Sequence, residues 1–200
     1  MKTKILSIIV LAAAALSFIT PAQAATTNSA TYTILTDVSH INKIEIYGNV
    51  ELYVSDGATD QVKVYDKYYS ESALVQNKNG VLRISSYKTQ KLVVWVTAAD
   101  LRSISAYDNA EVKSFGNLSK IEFDVDLHNN ASAKLNLDAF NANVTLTDHA
   151  KAELSGNAEQ FSLNRNQASI LNKINFTVAR FSDKNTGTPV EVKDQDIASI

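Results

Sequence analysis

The sequence predicts an all-β protein whose second half is a single-stranded β-helix, or β-solenoid, preceded by an irregular extended β region. Apolar and polar residues alternate with a period of two, which is typical of strands with one buried face, and no stretch has a convincing helical period. Four segments of the second half place a turn-forming pair before an alanine. These alanines lie 21, 19 and 18 residues apart, at Ala110, Ala131, Ala150 and Ala168. Such a spacing indicates stacked coils of about 18 to 21 residues, each burying its apolar face against the next.

Residues 1–24 have the pattern of a cleaved signal peptide. Lys2 and Lys4 form a basic start, an apolar run follows from Ile5 to Ile19, and Ala22-Gln23-Ala24 supplies a small-x-small cleavage site. The apolar run is too short for a comfortable membrane span of about 20 residues, so we expect removal rather than anchoring. We predict a lead-in over residues 25–40 and a single solenoid domain over 41–200, with its repeats at about 101–174.

The first half of the mature chain reads as short strands joined by turns. Gly48-Asn49 is a turn or bulge signal between two alternating stretches, and Asn79-Gly80 is a strong tight-turn signal. The more continuous apolar run from Lys91 to Thr97, which contains Trp95, predicts a strand covered on both faces. The predicted inward residues around the first turn signal are Ile44, Ile46, Val50, Leu52 and Val54.

Aligning the second half on its alanines gives columns of equivalent residues. The inward apolar columns are Ile104, Val125, Val144 and, four residues before each alanine, Ala106, Leu127, Leu146. The polar pair before each alanine gives a column that we interpret as a structural turn ladder, formed by Asp108, Asn129, Asp148 and Asn166. Asp and Asn tolerate left-handed backbone and cap their own turns, so this column needs no ligand to explain it.

Composition excludes several classes of function. The formal net charge is −2 with acids and bases interspersed, so neither a nucleic-acid stripe nor a polybasic membrane patch is expected. The chain has no cysteine, so it must depend on its own core, and attachment of lipid at a cysteine is excluded. These properties suit a protein of the bacterial envelope.

Several stretches of the chain together carry a family resemblance. They are Ile44–Val54 with Gly57, Val62-Lys63-Val64, Gly80–Ile84, and Val94–Thr97 with Leu101 and Ala110. This pattern resembles the bacterial putative auto-transporter adhesin, head GIN domain family. The resemblance implies a signal peptide, an extended first half, a β-superhelix in the second half and an adhesin-like role. The glycines that the family uses at its turns are replaced here by the Asp and Asn of the turn ladder, a physically conservative change.

Signals for catalysis and metal binding are scarce. The chain lacks a cysteine nucleophile, a phosphate loop and the common zinc and serine-hydrolase motifs. His128 and His149, with Asp126 or Asp148, offer a weak metal alternative, and the turn ladder offers a weak calcium alternative. We predict no metal and no cofactor. Carboxylates that could serve a polysaccharide lyase or hydrolase are Asp124, Asp126 and Asp138, of which the first two should share an outward face.

Exposed aromatic residues are the best indication of binding. Tyrosines out of phase with the inward aliphatic residues should present their rings on the sheet surface, where they could meet a glycan or an envelope protein. This candidate binding surface consists of Tyr47, Tyr53, Tyr65, Tyr68 and Tyr69. We therefore predict an exported, non-enzymatic, adhesin-like binding module in the periplasm or at the cell surface. The alternatives are a polysaccharide-active enzyme on a β-helix scaffold and a purely structural envelope module.

Overall fold

A computed structural model describes residues 32–66 and 69–186. The predicted signal peptide lies outside these residues. Thirteen strands and a single 3₁₀ turn, Tyr69–Glu71, make up the described structure, with no α-helix in it. The strands are β1 Thr33–Leu35, β2 Lys43–Gly48, β3 Val50–Asp56, β4 Gln61–Val64, β5 Ala73–Lys78, β6 Val81–Ser86, β7 Leu92–Ala98, β8 Ser103–Ala106, β9 Glu111–Ser114, β10 Leu118–Leu127, β11 Ser132–Leu146, β12 Lys151–Arg165 and β13 Ile170–Asn185. The first of them, β1, falls within the predicted lead-in and pairs with β4.

The prediction of an all-β protein is confirmed, but the prediction of a single-stranded β-solenoid is wrong. The strands form one 13-stranded sheet, curled into a half-barrel, in the order β1-β4-β7-β3-β9-β11-β10-β8-β2-β6-β5, while β12 pairs with β11 and β13 pairs with β12. The sheet is mixed, because β1–β4, β4–β7 and β5–β6 are antiparallel pairs. Spacing in the sequence fixes the register between neighbouring strands, but it does not fix how a sheet closes. The repeated segments of the second half, which we expected to form separate coils, are instead strands of one curled sheet.

Neighbouring strands of the second half do lie in the parallel register that the apolar columns require. Ile104 is opposite Val125, Val125 is opposite Val144, and Val144 is opposite Leu163. All four side chains are buried. Stacked aliphatic residues of this kind remove apolar surface from water on every strand, which is the main stabilising term of the core.

Two turns of the first half match their sequence signals. Asn79 and Gly80 have φ angles of 52° and 79° and join β5 to β6, whose residues Lys78 and Val81 are paired. Gly48 has a φ of 81°, and a Cβ at this position would lie 2.2 Å from the carbonyl oxygen of Ser86. Only glycine fits there, because both the backbone angle and the close approach exclude a side chain.

Candidate binding surfaces

A continuous group of rings lies on the outer face of the first-half strands, and we call it the aromatic cluster: Tyr32, Tyr53, Tyr65, Trp95 and Phe115. In β7 the residues alternate buried and half-buried, with Val94 and Val96 inward, so Trp95 is on the outer face. Sheet register places Trp95 opposite Tyr53 of β3. The cluster is therefore assembled by pairing between strands that are distant in sequence.

The rings of the aromatic cluster contact one another around Trp95. Its centroid lies 4.8 Å from that of Tyr53, 5.3 Å from that of Phe115 and 6.1 Å from that of Tyr65. Tyr65 also contacts Tyr32 at 5.6 Å. The ring planes of Tyr53 and Trp95 differ by 26°, so these two rings use their faces on each other. Phe115 is the most exposed ring of the cluster at 63%, Tyr32 and Tyr65 are also exposed, and the indole of Trp95 is half-buried between them.

Charged groups border the aromatic cluster on the same face. Lys113 is ion-paired with Glu51 and lies over the ring of Tyr53, with its Nζ 5.6 Å from the centroid. The hydrogen bond from Lys113 lowers the pKa of Glu51, and the hydrogen bond that Tyr53 donates to Glu51 raises the pKa of the tyrosine. Lys63 lies over Tyr32 at 5.9 Å. An apolar centre is therefore bordered by charged groups, several of them paired.

A second group of rings forms a stacked column at the ends of β2, β8 and β10. Tyr47 stacks on Tyr107 at 4.6 Å with planes 5° apart, and Tyr107 stacks on His128 at 4.7 Å with planes 2° apart. His128 lies 2.9 Å from Asp126 through Nε2 and 2.8 Å from Thr147 through Nδ1. Stacking uses the ring faces within this column, which favours a structural role for it.

The structure does not bring the five predicted tyrosines together. Tyr53 and Tyr65 lie in the aromatic cluster, whereas Tyr47 belongs to the stacked column. Tyr69 is in the 3₁₀ turn and packs partly buried against the core, and Tyr68 lies outside the described residues. Trp95 was not predicted to face outward, because its strand reads as an apolar run. The strict alternation of Leu92, Val94 and Val96 could have indicated it.

The turn ladder is a chain of hydrogen bonds between neighbouring turns. Asp108, Asn129 and Asp148 have φ angles of 62°, 59° and 58°. The amide of Asp108 donates to Oδ1 of Asn129 at 3.3 Å, and the amide of Asn129 donates to Oδ2 of Asp148 at 3.2 Å. At Asn166 the side chain instead accepts from the amide of Ser169, three residues along, at 3.1 Å. The side-chain oxygens therefore serve backbone amides.

Among the other candidate residues His128 contacts Asp126, but the full set is not brought together. His128 is in the stacked column while His149 is exposed in a turn, and no three acidic or histidine side chains among residues 32–66 and 69–186 are grouped as a metal site would require. Asp124 and Asp126 point outward from β10, since Phe123, Val125 and Leu127 are buried. Asp138 pairs in register with Ser119, in a different row of the sheet.

The fold and the surfaces together define a β protein of one sheet with an aromatic cluster on its outer face. Among the described residues, no helix is long and apolar enough to cross a membrane. The chain belongs to the family described as "Putative auto-transporter adhesin, head GIN domain", whose model matches residues 40–194. No curated protein matches the sequence significantly.

Solved structures of similar proteins share this fold. A putative adhesin from Bacteroides fragilis is 17% identical with a TM-score of 0.69, and the match covers 80% of this chain and 78% of that one. A putative adhesin from Parabacteroides merdae is 15% identical with a TM-score of 0.64, over 79% of this chain and 78% of that one. A protein from Parabacteroides distasonis, described as a putative lipid binding protein, is 10% identical with a TM-score of 0.57, over 78% and 79%. At these identities the likeness concerns the fold alone.

Proposed function

We propose that this protein is an exported, non-enzymatic binding module of the bacterial envelope or cell surface, with an adhesin-like role. Membership of the family supports this role. The signal-peptide pattern of residues 1–24 supports export across the inner membrane, to the periplasm or the surface. Sequencing of the N-terminus of the exported protein tests the cleavage site after Ala24.

The observation that carries the proposal is the aromatic cluster on an outer sheet face. Aromatic residues give a large contact area at low entropic cost, and they form the energetic centres of protein interfaces inside a polar rim. Phe115 and Tyr65 are exposed while Trp95 anchors them, and the bordering ion pair of Lys113 and Glu51 supplies such a rim.

The geometry of the rings favours a protein partner for this surface. A sugar centred on this surface would need an open ring face at its middle, but the central rings of Tyr53 and Trp95 stack on each other and Lys113 lies over Tyr53. The edges of these rings and the exposed side of Phe115 remain available, which suits packing against apolar side chains of another protein. We therefore propose a protein of the envelope or of a contacted cell as the partner.

A polysaccharide-active enzyme is the alternative function. Glycosidases use two carboxylates that face each other across the scissile bond, so a shared cleft is required. Asp124 and Asp126 lie on one strand and point to the same side, which instead suits a solvated outer face. Hydrolysis or elimination of a polysaccharide by the purified protein, lost in Asp124→Asn, would favour the enzyme. A purely structural module would bind neither cells nor polysaccharides.

Binding of the fluorescently labelled protein to intact bacterial and animal cells tests the proposal. The protein used is the exported form, purified from an expression host that secretes it. Phe115→Ser and Tyr65→Ser should weaken binding, whereas Tyr87→Ser, whose ring is 74% exposed but lies outside the cluster, should not. Treating the cells with protease should abolish the part of the binding that Phe115→Ser removes. Equal binding by all variants, or loss on periodate oxidation of surface sugars but not on protease treatment, would contradict a protein partner at this surface.

A further inference from the structure

A polar groove crosses the outer face of the last four strands, and none of its lining residues belongs to the aromatic cluster. It has a volume of about 400 Å³. Its polar lining is Glu122, Asn141, Asn143, Gln160, Ser162, Arg180 and Ser182. It begins beside the point where pairing between β10 and β11 is interrupted, at the exposed residues Ile121 and Phe140.

The register of four parallel strands aligns the groove side chains in rows. Glu122 is opposite Asn141, Asn141 is opposite Gln160, and Gln160 is opposite Arg180. Neighbouring strands are about 4.8 Å apart, so this row of four groups extends about 14 Å across the sheet. A row of this length can contact several units of a chain molecule lying across the strands.

The amides in this row have free hydrogen-bonding capacity. Asn141 and Gln160 are half-buried, yet neither side chain has a hydrogen-bond partner among the described residues. In the adjacent row, by contrast, the side-chain amide of Asn143 donates a hydrogen bond to Asp124 at 2.8 Å. Each free amide can donate two hydrogen bonds and accept two. The groove thus offers donors and acceptors that the fold does not use.

The chemistry of the lining selects the ligand class. The carboxylate of Glu122 and the guanidinium of Arg180 lie at opposite ends of the row, with amides between them and hydroxyls beside them. Arg180 already has a carboxylate partner in Glu159 at 3.9 Å, so the described lining of the groove has no unpaired cation to attract an acidic ligand. The ring of Phe181 is already engaged, because Phe161 stacks on it at 5.4 Å and Nζ of Lys173 lies 3.5 Å from its centroid, so stacking of a sugar on this ring would compete with both contacts. Recognition must come from hydrogen bonds to a ligand rich in hydroxyl groups and without net charge.

We propose that this groove binds an uncharged linear oligosaccharide, laid across β10, β11, β12 and β13. The amides of Asn141 and Gln160 bind its hydroxyl groups at the centre. Glu122 accepts from hydroxyls at one end and Arg180 donates at the other. This site is separate from the aromatic cluster, so the protein carries a glycan site in addition to the surface proposed for a protein partner.

Calorimetric titration with cellotetraose, tetra-N-acetylchitotetraose and tetragalacturonate tests the proposal. At least one of the two neutral tetrasaccharides should bind, and more tightly than the acidic one. The double variant Asn141→Ala with Gln160→Ala should weaken binding by about tenfold, as expected from the loss of hydrogen bonds of ordinary strength. Asn164→Ala, an exposed amide on β12 outside the groove lining, is the matched control and should leave affinity unchanged.

Three outcomes would overturn the oligosaccharide site. They are no binding of either neutral probe at millimolar concentration, tighter binding of tetragalacturonate, and equal loss of affinity in the double variant and in Asn164→Ala. Phe115→Ser separates the two proposals, because it should impair cell binding without changing oligosaccharide affinity. If Phe115→Ser abolished oligosaccharide binding instead, the sugar would bind at the aromatic cluster and the groove assignment would be wrong.

Discussion

Replacing Leu146 by alanine should lower the free energy of unfolding by about 3 kcal/mol. Leu146 is fully buried and stacks between Leu127 and Arg165 of the neighbouring strands. The substitution removes the equivalent of three methylene groups, which at about 0.8 kcal/mol each gives about 2.4 kcal/mol of lost transfer energy. The cavity adds to this cost, because buried Leu→Ala changes total about 2–5 kcal/mol. Leu127 is itself fully buried and held by its own neighbours, so little collapse into the cavity is expected.

Urea unfolding followed by the fluorescence of Trp95, the single tryptophan, measures this change. Trp95 lies on β7, which is not a neighbour of β11, and its signal therefore reports global unfolding. The midpoint should fall without a change in slope, since the surface exposed on unfolding is nearly the same. Thr145→Ala, one residue earlier on the outer face, is the control and should cost less than about 1 kcal/mol. A cost below about 1 kcal/mol at Leu146, or equal costs at both positions, would refute the inward and outward assignment.

Three further predictions concern the turns and one ion pair. Asn129→Val should destabilise the fold by about 1–2 kcal/mol, because the φ of 59° at this position is left-handed and a β-branched residue resists it. Asn129→Gly should change stability by less than about 1 kcal/mol. Calcium should leave the melting temperature of the wild type unchanged. A calcium-induced rise of several degrees would instead identify the turn ladder as a metal site. Gly48→Ala should cost at least about 1–3 kcal/mol in urea unfolding because its Cβ would meet the carbonyl oxygen of Ser86, and a neutral result would show that this turn is misplaced. The hydrogen bond from Lys113 lowers the pKa of Glu51 in the folded protein, so this group stabilises the fold above the ordinary glutamate pKa of about 4.3, and that stabilisation is lost as the pH falls below this value. Glu51→Gln should therefore flatten the acidic part of the stability–pH curve. An unchanged curve would show that the ion pair contributes nothing to stability.

Much of the local structure could be predicted from the sequence. Alternation with a period of two assigns Ile44, Leu52 and Val125 to the core and Tyr53 to the outer face, because successive side chains of a strand point to opposite sides. Asn79-Gly80 predicts its tight turn for an equally local reason, since its backbone angles suit few other residues. Equal spacing of the apolar columns also predicts which residues of β10, β11 and β12 lie side by side.

Only the tertiary structure decided how the sheet closes and where its surfaces form. The same spacing is compatible with separate coils and with one curled sheet, because register constrains neighbours and not closure. The aromatic cluster requires β3 to pair with β7 and β4 to pair antiparallel with β7. These pairings are stabilised by burial of the whole core and not by any one segment. The groove likewise requires four strands to align Glu122, Asn141, Gln160 and Arg180. Strand character is a local property of the chain, whereas the grouping of distant side chains depends on long-range pairing that no short segment encodes.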